Sequence, residues 1–317
     1  MVPNIGGLSF FVSIMVFYYF INEYDVQRIF PSIIPGLTIL FIIGVKDDLV
    51  MVNPSTKIMA QIIASSFFVF HESFNLINLR GFLWIFELNQ LVGIVLSVVI
   101  TVAIINAFNL LDGIDGLAAI IAILIFLFYF VLFYQLNFYF LAFLNVILLG
   151  TLTAFFRYNV SEKHKIFMGD TGSMIIGFIV SLMTIFALSM KLESVNNLYF
   201  PPQNLPFLLF AVLFMPMFDT TRVIFLRLLQ RKSPFQPDRQ HIHHVLLDYF
   251  KFSHIKVSLI LGFINLLVIL VFAYLINKIE QMFFFAIILA LIIVFSYILY
   301  NMSQKIRKLR ENDYPLV

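Results

Sequence analysis

The chain has no cysteine and a single tryptophan, and only 12% of its 317 residues are charged. Without thiols there is neither a disulfide framework nor a thiolate metal site. A charged fraction about half that of an ordinary soluble domain excludes a soluble globular fold. Charges of the two signs nearly balance, with 20 Lys and Arg against 17 Asp and Glu and a net charge of +3. No basic patch for nucleic acid is needed to explain this balance, because Lys and Arg are expected in juxtamembrane loops. The apolar stretch 6–21 lacks a basic flank and a small-residue cleavage site, so it reads as a first membrane span, not a signal peptide.

Apolar residues are abundant: 62% of the chain is hydrophobic, 40 residues are Phe, and mean hydropathy is +1.00. Apolar windows near the length that crosses the hydrocarbon as helix fall at 6–21, 31–45, 57–72, 89–107, 117–135, 138–156, 171–190, 205–228, 255–276 and 282–300. The expected fold is therefore all-α, a single polytopic helical bundle over 1–317 with about ten transmembrane helices, since lipid leaves a continuous apolar backbone no other way to pair its polar groups.

Ten spans divide the loops into two sets. One set holds 16 of the 20 basic residues, among them Lys46, Lys163, Lys165, Arg231, Lys251 and Lys305, and the other holds Arg28, Arg80, Lys191 and Lys278. The positive-inside rule assigns the first set, and both termini, to the cytoplasm. The polar motifs fall in that set or at helix ends beside it, so residues distant in sequence share one membrane face.

Five motifs interrupt the apolar chain, and carboxylates near a bilayer are costly enough to suggest function. Lys46-Asp47-Asp48 ends a helix. Two carboxylates about 4 Å apart repel by roughly 4 kcal/mol at an effective dielectric near 20, so the pair wants a cation, a shared proton or a lysine; a solvated loop start is the plain alternative. The stretch from Asn106 to Gly116 combines two amides with Asp112 and Asp115, and a helical start would place Asn109, Asp112 and Gly116 on one face. A glycine-rich helix break would explain one of those acids but not all four polar side chains.

Gly169-Asp170-Thr171-Gly172-Ser173 opens an apolar helix, where Asp170 is either an N-cap or a metal ligand. Asp219 has Arg222 one turn away, as an internal ion pair or a catalytic one. Pro237-Asp238-Arg239-Gln240-His241-Ile242-His243-His244 lacks the spacing of a zinc site, so Arg239, His241, His243 and His244 read as anion donors. His164 and His254 read as interfacial residues. Acids suited to a hard cation beside cationic donors describe metal-assisted chemistry on a phosphate ester.

These motifs, in order from Gly6-Gly7 to His244, resemble the polyprenyl-phosphate N-acetylhexosamine-1-phosphate transferases, and the histidine loop is most similar to the bacterial N-acetylglucosamine branch. The resemblance implies transfer of a sugar 1-phosphate from a UDP-N-acetylhexosamine, above all UDP-N-acetylglucosamine, to undecaprenyl or another polyprenyl phosphate, with release of UMP. It implies Mg²⁺, with Mn²⁺ as a substitute, held by Asp170 with Asn109. Asp47, Asp48 and Asp170 match the catalytic positions, with the base or nucleophile role of Asp47 open. Lys57, Asn109, Asp112, Asp115, Arg239, His241, His243 and His244 match the substrate-binding ones. Also implied are a bacterial plasma membrane location, contact with membrane lipid and a homodimer, with no nucleic-acid partner. The family pattern has a further helix and a basic segment ahead of Gly6-Gly7, so the chain is expected to lack one N-terminal helix of its relatives. A membrane prenyltransferase would need two Asp-rich motifs at another spacing, and a transporter an internal repeat with mid-membrane charges.

Overall fold

The computed structural model describes residues 2–195, 198–233 and 239–313. In chain order the helices are α1 (Gly6–Ile21), α2 (Ile29–Leu49), α3 (Pro54–Val69), α4 (Gln90–Leu111), α5 (Leu117–Gln135), α6 (Tyr139–Asn159), α7 (Gly169–Ser189), the single turn α8 (Leu192–Val195), α9 (Leu205–Val212), α10 (Phe214–Leu229), α11 (Ile242–Phe250), α12 (His254–Leu275) and α13 (Gln281–Asp313). Among the described residues no strand forms, only an isolated antiparallel bridge between Asn78 and Glu87. The protein is an all-helical integral membrane bundle.

Each of the ten apolar windows lies on a helix, but they are not ten equal spans. Eight helices are long and apolar enough to cross a membrane, and the pair formed by Pro202–Val212 and Phe214–Leu229, bent by 67°, makes a ninth. The tenth window corresponds to α3, which has 16 residues. At about 1.5 Å per residue it is some 6 Å short of the hydrocarbon core. It still runs the height of the bundle: Lys57 in its first turn reaches Asp170, and past its last turn Phe74 meets Phe186 near the far end of α7.

The bend between α9 and α10 has a covalent cause. Pro216 has no N–H to offer the carbonyl of Val212, four residues back. From α12, Asn265 Nδ2 donates to that carbonyl at 3.3 Å, while its Oδ1 accepts from the Met215 N–H at 3.0 Å. One buried side chain thus satisfies the break where no water is at hand.

α7 is the axis of the bundle, with 94% of its membrane window buried, against 11% for α13, whose apolar side faces lipid. α1, α2 and α4 pack around it. Close approach depends on small residues, as is usual between membrane helices. A Cβ on Gly44 of α2 would strike the Thr171 backbone, and one on Gly7 of α1 would lie 2.5 Å from the Gly172 amide. The backbones of α1 and α2 therefore meet the first turn of α7, which brings the end of α2 and the start of α7 to one membrane face.

Candidate active site

Asp48, at the end of α2, caps a helix other than its own. Its Oδ1 accepts from the Asp170 N–H at 2.8 Å, and its Oδ2 accepts from the Thr171 N–H at 3.2 Å and the Thr171 hydroxyl at 2.6 Å. The free amides at the start of α7, which carry the positive end of the helix dipole, are thereby satisfied from 122 residues away. Asp47 points elsewhere: it forms an ion pair with Lys57 and accepts from the Val52 N–H at 2.6 Å.

With the cap supplied by Asp48, the Asp170 carboxylate is left for other work. Among its contacts, Oδ1 accepts from Asn109 Nδ2, and Oδ2 lies 3.0 Å from Lys57 Nζ. Asn109 Nδ2 also donates to Ser173 at 3.0 Å. One turn back on α4, Asn106 donates to Gln61 of α3 at 2.7 Å. Lys57 thus bridges Asp47 and Asp170, and the ends of α2, α3, α4 and α7 converge on that pair of carboxylates.

Asp112 and Asp115 lie in the turn between α4 and α5. Burial, together with the charges of Asp170, Asp48 and Asp115, pushes the Asp112 carboxyl well above the usual carboxylate range. Asp115 ties elements together, with Oδ2 2.6 Å from Lys165 Nζ and 3.1 Å from His254 Nδ1. Ser258 of α12 donates to its carbonyl at 2.7 Å. His254, interfacial in the sequence reading, thus belongs to this turn. Lys165 drew no attention as an isolated cation, for which sequence offers no signal.

The histidine loop reaches the aspartates through Gly113, where a Cβ would lie 2.5 Å from His243 Nε2, so only glycine admits the ring. Burial, with His244 beside it, holds His243 down at about 3, and burial likewise lowers His244 below the ordinary histidine value. Both rings are neutral at pH 7, with the Nδ1 atoms buried and without hydrogen-bond partners. His244 is partly exposed and can meet phosphate oxygens as a neutral donor, not as a cation, whereas His243, expected to do the same, is 1% exposed and packs on Gly113. His241 is buried as well, with Nδ1 3.0 Å from Asp219 and Nε2 3.4 Å from Arg227. Its nitrogens serve the protein, so the geometry does not present it to an anion. Arg239 is largely exposed and donates to Asp248 at 3.0 Å. Pro237 and Asp238 of this motif lie outside the described residues.

No group of three or more His, Asp or Glu side chains is close enough to hold a metal ion by itself among the described residues. Mg²⁺ does not require one, since it commonly takes one or two carboxylates and completes its shell with phosphate oxygens and water. Asp170, beside Asn109 and with Asp112 as its electrostatic neighbour, fits that donor set. Burial first, and then the charges of Asp170, Asp48 and Asp115, disfavour an ionised Asp112, and a nearby cation would favour it.

Residues 30–188 match the family described as Glycosyl transferase family 4. The chain is 29% identical over 251 residues to the undecaprenyl-phosphate alpha-N-acetylglucosaminyl 1-phosphate transferase of Pasteurella multocida, covering 78% of this chain and 67% of that one. It is 30% identical over 285 residues to the decaprenyl-phosphate N-acetylglucosaminephosphotransferase of Mycobacterium tuberculosis, covering 82% and 68%.

Proposed function

The chain belongs to glycosyl transferase family 4, and from that premise we propose a division of labour among the residues of its polar face. The enzyme transfers N-acetylglucosamine 1-phosphate to a polyprenyl phosphate, the first step of a lipid-linked envelope glycan. The donor is UDP-N-acetylglucosamine and the face is cytoplasmic. The observation that carries this reading is Asp170, freed from capping by Asp48, facing Lys57 and Asn109 on a face that the histidine loop joins at Gly113.

In the reaction an oxygen of the lipid phosphate attacks the β-phosphorus of the nucleotide sugar, the bond to the bridging oxygen breaks, and UMP leaves. A phosphate monoester with a second pKa near 6 is already largely deprotonated at neutral pH, so the attacking oxygen needs no general base. Asp47 then serves to hold Lys57, whose ammonium offsets the charge of the incoming phosphate. Asp170, with Asn109 and Asp112 beside it, would hold Mg²⁺, for which Mn²⁺ can substitute, and the ion supplies charge neutralisation on the pyrophosphate. His244 and Arg239 donate to the diphosphate, with His243 packed beside them on Gly113.

The acceptor chain has its own surface. An apolar cavity of about 740 Å³ runs between α4, α7, α9, α10 and α13, from Leu79 and Phe82 at the far face past Ile104 and Leu213 to Arg222. Its lining is almost wholly hydrocarbon, and Arg222 stands at the end nearest the histidine loop. A polyprenyl tail with its phosphate toward the loop matches that polarity. Membranes containing the protein, given labelled UDP-N-acetylglucosamine and undecaprenyl phosphate, should form a labelled glycolipid that requires a divalent cation. Glycolipid formed only from another UDP-sugar would reassign the donor.

A further inference from the structure

α10 stands outside the aspartate cluster yet grips the histidine loop at several points. Asp219 is buried, its side chain 4% exposed, and accepts from Arg222 Nη2 at 3.1 Å, from His241 Nδ1 at 3.0 Å and from the Ile242 N–H at 3.0 Å. Arg222 Nη2 also donates to the Gln240 carbonyl, and Arg227 Nη2 lies against His241 Nε2. A guanidinium can only donate, so the lone pair of His241 is on Nε2 and its proton is on Nδ1, directed at Asp219. Ile242 is the first residue of α11, so Asp219 also fixes where that helix starts. His243 and His244 follow immediately, and the His243 ring has no clearance over Gly113 to absorb a shift.

We infer that Asp219 is a positioning residue of this transferase: acting through His241 and the Ile242 amide, it sets the register in which His243 packs on Gly113 and His244 meets the diphosphate of the nucleotide sugar. The inference rests on the functional reading above. Asp219 lies outside the apolar cavity, and its neighbour Arg222, which does line it, keeps its bond to the Gln240 carbonyl when Asp219 is replaced, so the larger effect falls on the nucleotide sugar. An ion pair that merely held the fold together would behave differently, since its loss would reduce the active fraction and lower the maximal rate without changing either KM.

The test is steady-state kinetics on the full-length protein with UDP-N-acetylglucosamine and undecaprenyl phosphate varied in turn, for wild type, Asp219→Asn, His241→Gln and the double variant. In Asp219→Asn an amide donor can face the Nδ1 proton, which turns the ring or moves the loop. The KM for the nucleotide sugar should rise at least about tenfold in each single variant, while that for the lipid stays within about twofold. The double variant should be no worse than about twice the poorer single one, because both act on one contact. If Asp219→Asn does not accumulate in membranes, His241→Gln alone carries the same expectation. Additive losses, or a fall in rate with both KM values unchanged, would overturn the inference and leave the function standing. Wild-type protein inactive with every UDP-sugar would overturn the functional reading and the inference together.

Discussion

At the scale of single residues, Asp48 and Asp170 divide between them the two duties a carboxylate can have at a helix start. The sequence motif around Asp170 admits either a cap or a ligand. The structure gives capping to Asp48, a partner 122 residues away that no local pattern reveals. Their variants should therefore differ in kind. Asp48→Ala removes a cap and should cost about 1–2 kcal/mol, read as a lower Tm in detergent. Asp170→Asn should leave Tm nearly unchanged and reduce kcat by roughly a hundredfold or more, about 2.7 kcal/mol of barrier. The reverse pattern would exchange their roles. His243 supplies a pH test. Its folded value of about 3 lies below the ordinary 6.5, so the unfolded chain takes up a proton that the folded protein refuses. The stability it contributes is complete above about pH 6.5 and is lost as pH falls toward 3, roughly 2 kcal/mol by pH 5.0. Wild type should lose more Tm between pH 7.5 and 5.0 than His243→Gln; parallel losses would mean the ring is not buried as a neutral base.

At the scale of elements, apolar runs located the long helices that frame the site, though not α11, and could not show which one breaks. Residues 205–228 are apolar apart from Asp219–Arg222 and Arg227, so their composition reads as one span. The missing N–H of Pro216 is the local signal for the bend, and the side chain that makes the bend tolerable, Asn265, belongs to another helix. That bend orients α10, which both borders the apolar cavity through Phe218 and Phe225 and grips the histidine loop through Asp219. Asn265→Leu would strand a carbonyl and an amide in the bundle interior, costing about 2–4 kcal/mol. The expected outcome is a marked fall in Tm with a raised KM for the lipid. Unchanged values for both would show that the break is held by other means. The shortness of α3 was legible, since its window at 57–72 is as short as the 16-residue helix, but its end was not: apolar residues continue past Val69 toward a turn at Glu72–Phe74, and hydropathy does not distinguish helix from turn.

At the scale of the whole molecule, the fold class was legible because lipid leaves so few choices, and the shared face because basic residues divide 16 to 4 between the two sets of loops. The histidine loop was legible as chemistry but not as geometry. His241 reads like its neighbours in sequence, yet Asp219 and Arg227 claim its ring nitrogens. Reporter fusions after Lys163 and Lys251 should report cytoplasm, and fusions near Arg80 and Leu198 the opposite side. Inverted signals at Lys251 would separate the histidine loop from the aspartates and contradict the common face.

The central claim, that this face passes a sugar phosphate directly to a lipid phosphate, is tested most directly by isotope exchange. Purified protein is incubated with UDP-N-acetylglucosamine, a divalent cation and labelled UMP, with and without polyprenyl phosphate. Label should enter the nucleotide sugar only when polyprenyl phosphate is present, and Asp170→Asn should abolish the exchange. Exchange that proceeds without the lipid would mean that the sugar phosphate passes first to the protein, and would contradict direct attack by the acceptor.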